Sequence, residues 1–152
     1  MNVQDYLDQQ GVNYRSSRHD ITYTAQDLAA AEHIPGRRVI KPVVIKADGE
    51  FVMCALPACH RVDLDELKCQ LEAADVSLAD EQKLAELFPG CEVGAEPPVG
   101  RLYGMTTVMD ESLMRDDQVT FQAGTHNDAV TMTLADYRRL AQPELAHFAR
   151  HV

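Results

Sequence analysis

The spacing of apolar positions switches between helix and strand periods several times along this chain. Val3, Tyr6, Leu7 and Gln10 fall at helical spacing, and Gly11 can end that helix. A strand-like stretch follows over 12–18. Thr24 can cap an Ala-rich helix over 25–33, with Gln26 and Asp27 in its first turn, and Pro35-Gly36 stops it. Residues 39–46 read as a strand, Ala47-Asp48-Gly49-Glu50 as a turn, and 51–56 as the return strand. Asp63 can cap a helix over 64–73. A second short helix over about 80–88 presents Leu84, Leu87 and Phe88 before Pro89-Gly90 ends it. Further strands are expected over 106–109, 118–123 and 129–134, and helices near 135–141 and 143–150. Hairpins mixed with helices, without regular βαβ alternation, predict an α+β fold built on a mixed sheet. Pro42 inside a strand removes a donor and predicts an edge or a bulge there.

Composition narrows the class. The 152 residues, 45% apolar and 25% charged, fit one globular domain over 1–152. No internal repeat, linker or low-complexity tract interrupts it. No apolar run approaches the roughly 20 residues of a membrane span, so no membrane partner is expected. Met1-Asn2-Val3-Gln4-Asp5 has neither a basic nor an apolar leader region, and a cytoplasmic location is the expectation. The net charge of −10 argues against nonspecific nucleic-acid binding and a DNA partner. The charge is uneven: residues 15–46 hold six basic and three acidic side chains, and the rest holds eight and twenty-one. A basic face able to hold one phosphate-bearing ligand, or a chance fluctuation, would both produce this.

The obvious catalytic patterns are missing. There is no G-x-S-x-G elbow, P-loop, H-E-x-x-H or G-x-G-x-x-G after a strand. Cys54, Cys59, Cys69 and Cys91 form no C-x-x-C pair and are expected to be reduced, packed as small hydrophobes. Cys59-His60 are adjacent, but sequence neighbours on a strand or helix diverge, so no nucleophile–base pair is expected. The six histidines lack metal spacing; His147 and His151 can share a helix face but have no ligand partner beside them in sequence. Neither a metal nor a cofactor is expected.

Three features remain. Lys41 stands among Val39, Ile40, Val43 and Val44, either pointing to solvent or held for a purpose. The run Cys91-Glu92-Val93-Gly94-Ala95-Glu96-Pro97-Pro98-Val99-Gly100 is either a plain connection or a surface whose glycines expose N–H groups while prolines fix its path. Ala123-Gly124-Thr125-His126-Asn127-Asp128 is a polar turn or a site offering a hydroxyl and an imidazole.

Together these blocks carry a resemblance. Val39-Ile40-Lys41-Pro42-Val43-Val44, the Gly94-to-Pro98 loop followed by Gly100, Thr106-Thr107-Val108-Met109-Asp110, and Val119 to Gly124 followed by 129–134 and 135–140 occur in an order that resembles the YbaK/ProX family of aminoacyl-tRNA deacylases, related to the editing domain of bacterial prolyl-tRNA synthetase. The resemblance spans about residues 12–142. It implies a strongly curved mixed sheet flanked by helices. It also implies hydrolysis, in trans, of the ester joining a wrong small amino acid (Ala, Ser, Thr or Cys) to a tRNA. No side-chain nucleophile is implied: water, aided by the ribose hydroxyl of the substrate, attacks. Gly94 and Ala95 would hold the carbonyl through backbone amides, and Lys41 would contact the terminal adenosine or its phosphate. Arg37, Arg38, Glu96, Pro97, Pro98, Gly124, Thr125 and His126 are the accompanying candidates for substrate binding. The mischarged tRNA is the expected partner, with an aminoacyl-tRNA synthetase as a second candidate. The sequence departs from the commoner pattern in three places. Pro42 replaces a polar residue, the loop reads Gly-Ala-Glu-Pro-Pro rather than Gly-Gly-Ile-Ser-Pro, and Gly124-Thr125-His126-Asn127 replaces a glycine-rich segment. Glu96 either meets the substrate ammonium or faces solvent, with solvent the favoured placement. The alternatives to a trans-editing hydrolase are a non-catalytic tRNA- or nucleotide-binding module on the same fold and a hydrolase of other small acyl esters or amides.

Overall fold

A computed structural model of the protein describes residues 2–152. Capping chemistry sets where its helices begin. Asn2 opens α1 (Val3–Gln9), Thr24 opens α2 (Ala25–Ala31), and Asp63 opens α3 (Leu64–Gln70). Asp80 opens α4 (Glu81–Leu87) and Thr133 opens α5 (Leu134–Ala141). In each case the cap oxygen accepts the backbone N–H three residues on, satisfying one of the donors a helix start leaves free.

The strands form a mixed α+β architecture, as expected from the sequence. β2 (Ile40–Ala47) and β3 (Glu50–Pro57) make the central hairpin, closed by Asp48-Gly49, both at positive φ. β5 (Val76–Leu78) pairs antiparallel with β2, while β6 (Thr106–Asp110) runs parallel to β3 and β9 (Glu144–Ala146) parallel to β6. The resulting order is β5-β2-β3-β6-β9. A second, antiparallel sheet has the order β1-β8-β7, from Arg15–Arg18, Asp128–Thr133 and Gln118–Gln122. A parallel bridge from Val39 to Thr120 joins the two sheets. β4 (His60–Val62) and β10 (Ala149–His151) form a short antiparallel pair.

Both faces of β3 are covered, which explains its unbroken apolar run. Cys54 and Leu56 pack with Leu67 of α3 and Phe148, whereas Ala55 packs on the opposite side with Phe121 and Tyr137. Pro42 lies where it can be tolerated. Its strand pairs with β3 there, and pairing with β5 begins only at Ile45, so the missing N–H costs no ladder bond on that edge.

The end of the chain differs from expectation. Residues 143–150 are not helical but contribute β9 and β10. Gln142 takes a left-handed conformation (φ 45°), Pro143 follows it, and the chain continues extended. Asp110 then holds this segment by accepting the N–H groups of Phe148 and Ala149, each at 2.9 Å. His147 and His151 therefore share no helix face; His147 pairs with Glu111 at 3.2 Å, a carboxylate distant in sequence. The helix expected over 64–73 ends at Gln70, and Glu72 turns with φ 53°. β4 and β5 have no counterpart in the sequence reading; three residues are too few to show a period.

Candidate active site

Three chain segments meet around His126. The turn after β7 presents it at 8% exposure, and its ring nitrogens lie 2.9 Å from the Thr22 carbonyl and 3.0 Å from the Val93 carbonyl. Its backbone N–H donates to the Glu92 carboxylate at 2.9 Å, and its carbonyl accepts the Thr22 N–H at 2.9 Å. Beside it, Gly124 donates to the Ala95 carbonyl at 2.9 Å and accepts the Glu92 N–H at 2.8 Å. The glycine-proline loop is thereby sewn onto the β7–β8 turn. Its far end is fixed as well. The buried Tyr137 hydroxyl donates to the Pro98 carbonyl at 2.6 Å, and the Gly100 N–H donates to the Thr107 hydroxyl at 2.8 Å.

This bracing walls a pocket of about 270 Å³. Leu28, Ile40, Pro42 and Leu84 supply apolar lining; Lys41, Gly94, Glu96 and Gln122 also line it; Tyr23 and Thr24 stand at the start of α2. Lys41 and the loop, 53 positions apart between Lys41 and Gly94, are thus brought to one cavity. The register pairs Lys41 with Leu56, so its stem lies on the α3 side of the sheet, and its Nζ donates to the His60 carbonyl. Burial lowers the Lys41 pKa below its ordinary value; a Cys59 thiolate would act the other way.

The loop amides are occupied in this form. Gly94 (φ 93°) donates its N–H to the Glu96 carboxylate at 3.0 and 3.1 Å, and Ala95 donates to the Glu92 carbonyl at 3.0 Å. Glu96 does not face solvent, contrary to the placement favoured from the sequence. It is 4% exposed, because its short reach back to Gly94 folds the carboxylate into the loop. Pro97 and Pro98 are buried; Pro97, Gly124 and Thr125 line a separate cavity of about 340 Å³ on another side of the loop. The Thr125 hydroxyl is tied to Asp128 at 2.6 Å. Arg37 and Arg38 do not line the pocket and both pair with Asp116, at 3.2 and 3.3 Å.

The cysteines are less uniform than expected. Cys54 is fully buried, and burial pushes its thiol up to about 12. Cys91 is half-buried against the Tyr103 hydroxyl at 3.2 Å, and burial also raises its thiol, with the charge of Glu96 adding to the effect. Cys69 is exposed. Cys59 and His60, expected to diverge, lie 3.3 Å apart (Sγ to Nδ1), because a turn at Ala58-Cys59 replaces the strand there.

Tyr23, Leu28, Pro42, Leu84 and Gln122 escaped the sequence reading as pocket residues. Each looks like an ordinary core or surface position, and only the packing of α2, β2, α4 and β7 makes them neighbours.

Comparison with known proteins decides the family. A model of the aminoacyl-tRNA editing domain matches residues 19–140. The chain belongs to the aminoacyl-tRNA editing family. This editing domain is 31% identical over 149 residues to the multifunctional Ser/Thr-tRNA deacylase ProXp-y of Escherichia coli K12, covering 95% of this chain and 89% of that one. It is also 33% identical over 90 residues to the proline–tRNA ligase of Lysinibacillus sphaericus, a match covering 59% of this chain and 16% of the ligase. Its fold superposes with a TM-score of 0.84 on the crystal structure of a putative trans-editing enzyme for prolyl-tRNA synthetase, at 21% identity, covering 97% of this chain and 94% of that one. The expectation from the sequence, an aminoacyl-tRNA deacylase of this family with tRNA as substrate, is met.

Proposed function

We propose that residues 1–152 act as one trans-editing unit that removes a small amino acid from a mischarged tRNA, with the pocket between β2, α2 and the Gly94–Pro98 loop as its active site. The observation that carries this reading is the convergence of Lys41, Gly94 and Glu96 on one cavity. At about 270 Å³ it falls below the roughly 300–1,000 Å³ of drug-sized sites, which favours a small acyl group. The relation to ProXp-y, named as a Ser/Thr-tRNA deacylase, makes seryl and threonyl esters the first candidates within the Ala, Ser, Thr and Cys range.

In this reading water adds to the ester carbonyl carbon, the bond from that carbon to the ribose oxygen breaks, the ribose oxygen takes a proton, and the free amino acid leaves. The ribose hydroxyl of the substrate assists the attacking water. The Gly94 and Ala95 amides hold the carbonyl oxygen as charge develops, which requires both to exchange their internal acceptors for the substrate. Lys41 offers its ammonium to the terminal adenosine or its phosphate; the His60 carbonyl uses one of its three donors. Pro97 and Pro98 hold the loop in shape, and Gly124, Thr125 and His126 brace it. Arg37 and Arg38 contribute to a basic approach for the tRNA backbone, released in part from Asp116. A synthetase is the candidate partner that would deliver the charged tRNA.

Incubation with a panel of tRNAs mischarged with Ala, Ser, Thr or Cys tests the proposal. Ester loss above the uncatalysed rate for at least one member is expected. Binding of charged tRNA without turnover of any member would instead establish a non-catalytic binding module.

A further inference from the structure

Glu96 combines two properties that rarely coexist. It is 4% exposed, and among the described residues the Gly94 N–H is the one donor to its carboxylate. No Lys, Arg or His nitrogen of those residues lies within 4.0 Å of it. A carboxylate can accept about four hydrogen bonds, and burying one without a cation is costly. Glu96 is nonetheless one of the residues that line the pocket. Such a group is suited to a cation that arrives with the ligand.

We infer that Glu96 gates the site by covering the Gly94 amide until a free α-ammonium draws it away; the inference rests on the reading that this pocket takes the aminoacyl ester. In the free protein the N–H that would stabilise the carbonyl oxygen is spent on Glu96. An aminoacyl ester carries its ammonium and its carbonyl on the same carbon, so it presents the partner for Glu96 and the partner for Gly94 together. The ammonium takes the carboxylate as an ion pair, adding the attraction of two opposite charges that the neutral amide does not offer. The Gly94 N–H, released from Glu96, then donates to the carbonyl oxygen as its new partner. An ester whose nitrogen is acylated, as in a peptidyl-tRNA, cannot displace the carboxylate and meets a covered amide. The pocket thus selects free amino-acid esters and rejects N-blocked ones, a property carried by Glu96 of this chain.

The test uses two non-hydrolysable probes, 3′-deoxy-3′-(L-seryl)amidoadenosine and its N-acetylated form, titrated into the ¹⁵N-labelled full chain. The seryl probe is expected to move the Gly94 amide resonance and to bind at least tenfold more tightly than the acetylated one. In Glu96→Gln, which keeps the shape but not the charge, the two probes are expected to bind within about threefold of each other. Equal binding of the two probes to the wild-type chain, an unmoved Gly94 resonance, no binding of either probe, or undiminished discrimination in Glu96→Gln would each overturn the gate. Turnover on the mischarged panel is read separately. Turnover without discrimination removes the gate and leaves the editing reading intact, whereas discrimination without turnover removes the editing reading alone.

Discussion

Replacing Lys41 with Met separates a functional cation from a structural peg. Met keeps most of the apolar stem beside Leu56 and loses the ammonium. In the folded chain two effects oppose each other. The bond to the His60 carbonyl is lost, and so is the cost of holding a charge in a half-buried place, the desolvation that lowers the Lys41 pKa. A hydrogen bond to a charged group contributes about 1.5–3 kcal/mol, so with the relieved desolvation set against it the net change in stability is expected to stay within about 1 kcal/mol. Activity has no such offset. Losing one charged contact to the substrate costs about 1.5–3 kcal/mol in the transition state, or about 10- to 150-fold in kcat/KM. The pH dependence has a definite sign. A lysine whose folded pKa is lowered sheds its proton in the folded state first, so the unfolded chain binds more protons between that lowered value and the ordinary 10.5. Wild-type stability therefore rises across that window relative to Lys41→Met, while Lys41-dependent activity falls. Deacylation rates and urea unfolding of the same preparations decide it, with Cys59→Ala as the control for thiol chemistry and expected to keep full activity. A Lys41→Met enzyme within about threefold of wild type would refute the role assigned to the cation. A stability loss above about 3 kcal/mol would show that Lys41 chiefly holds the His60 turn. Loss of activity in Cys59→Ala alone would move the chemistry to the Cys59–His60 pair.

Two further substitutions probe the frame around the site. Asp110→Ala leaves the buried N–H groups of Phe148 and Ala149 without their acceptor, at about 1–3 kcal/mol each, so urea unfolding should report a loss of about 2–6 kcal/mol; a loss under 0.5 kcal/mol, on the order of a neutral surface change, would be inconsistent with this role. Burial pushes the Asp110 carboxyl up, but the Ser112 hydroxyl and the amides of Phe148, Ala149 and Ser112 outweigh it and hold the pKa below 3.8. Its contribution is therefore complete above that value and is lost as pH falls through the lowered one, so the acid limb of the stability profile should flatten in Asp110→Asn. Gly100→Ala would place a methyl 2.6 Å from the Met105 carbonyl oxygen and 2.7 Å from the Thr107 hydroxyl, and is expected to cost about 1–3 kcal/mol by thermal unfolding and to loosen the end of the glycine-proline loop; an unchanged midpoint would contradict that packing.

The order of blocks along the chain was enough to reveal the family and its mixed α+β fold, because each block is local. A lysine-bearing strand, a glycine-proline loop and a strand ending in Asp110 are patterns of neighbours, and neighbours are what a sequence displays. The caps Thr24 and Asp63 and the Asp48-Gly49 turn were legible for the same reason: their hydrogen bonds or dihedrals involve residues within a few positions. Tertiary structure alone decided whatever depends on distant partners. Residues 143–150 are extended because β6 and β4 offer them backbone partners and Asp110 accepts two of their amides, none of which local helical spacing can register. His126 looked like a candidate substrate contact, and the folded chain sets its ring between the Thr22 and Val93 carbonyls, 104 and 33 positions away, at 2.9 and 3.0 Å. Gly94, Ala95 and Glu96 show the limit most clearly. The sequence marked the loop as a set of available amides, whereas the folded loop turns its own carboxylate back onto one of them, since the buried Glu96 carboxylate needs a donor and the Gly94 N–H is the one within its reach.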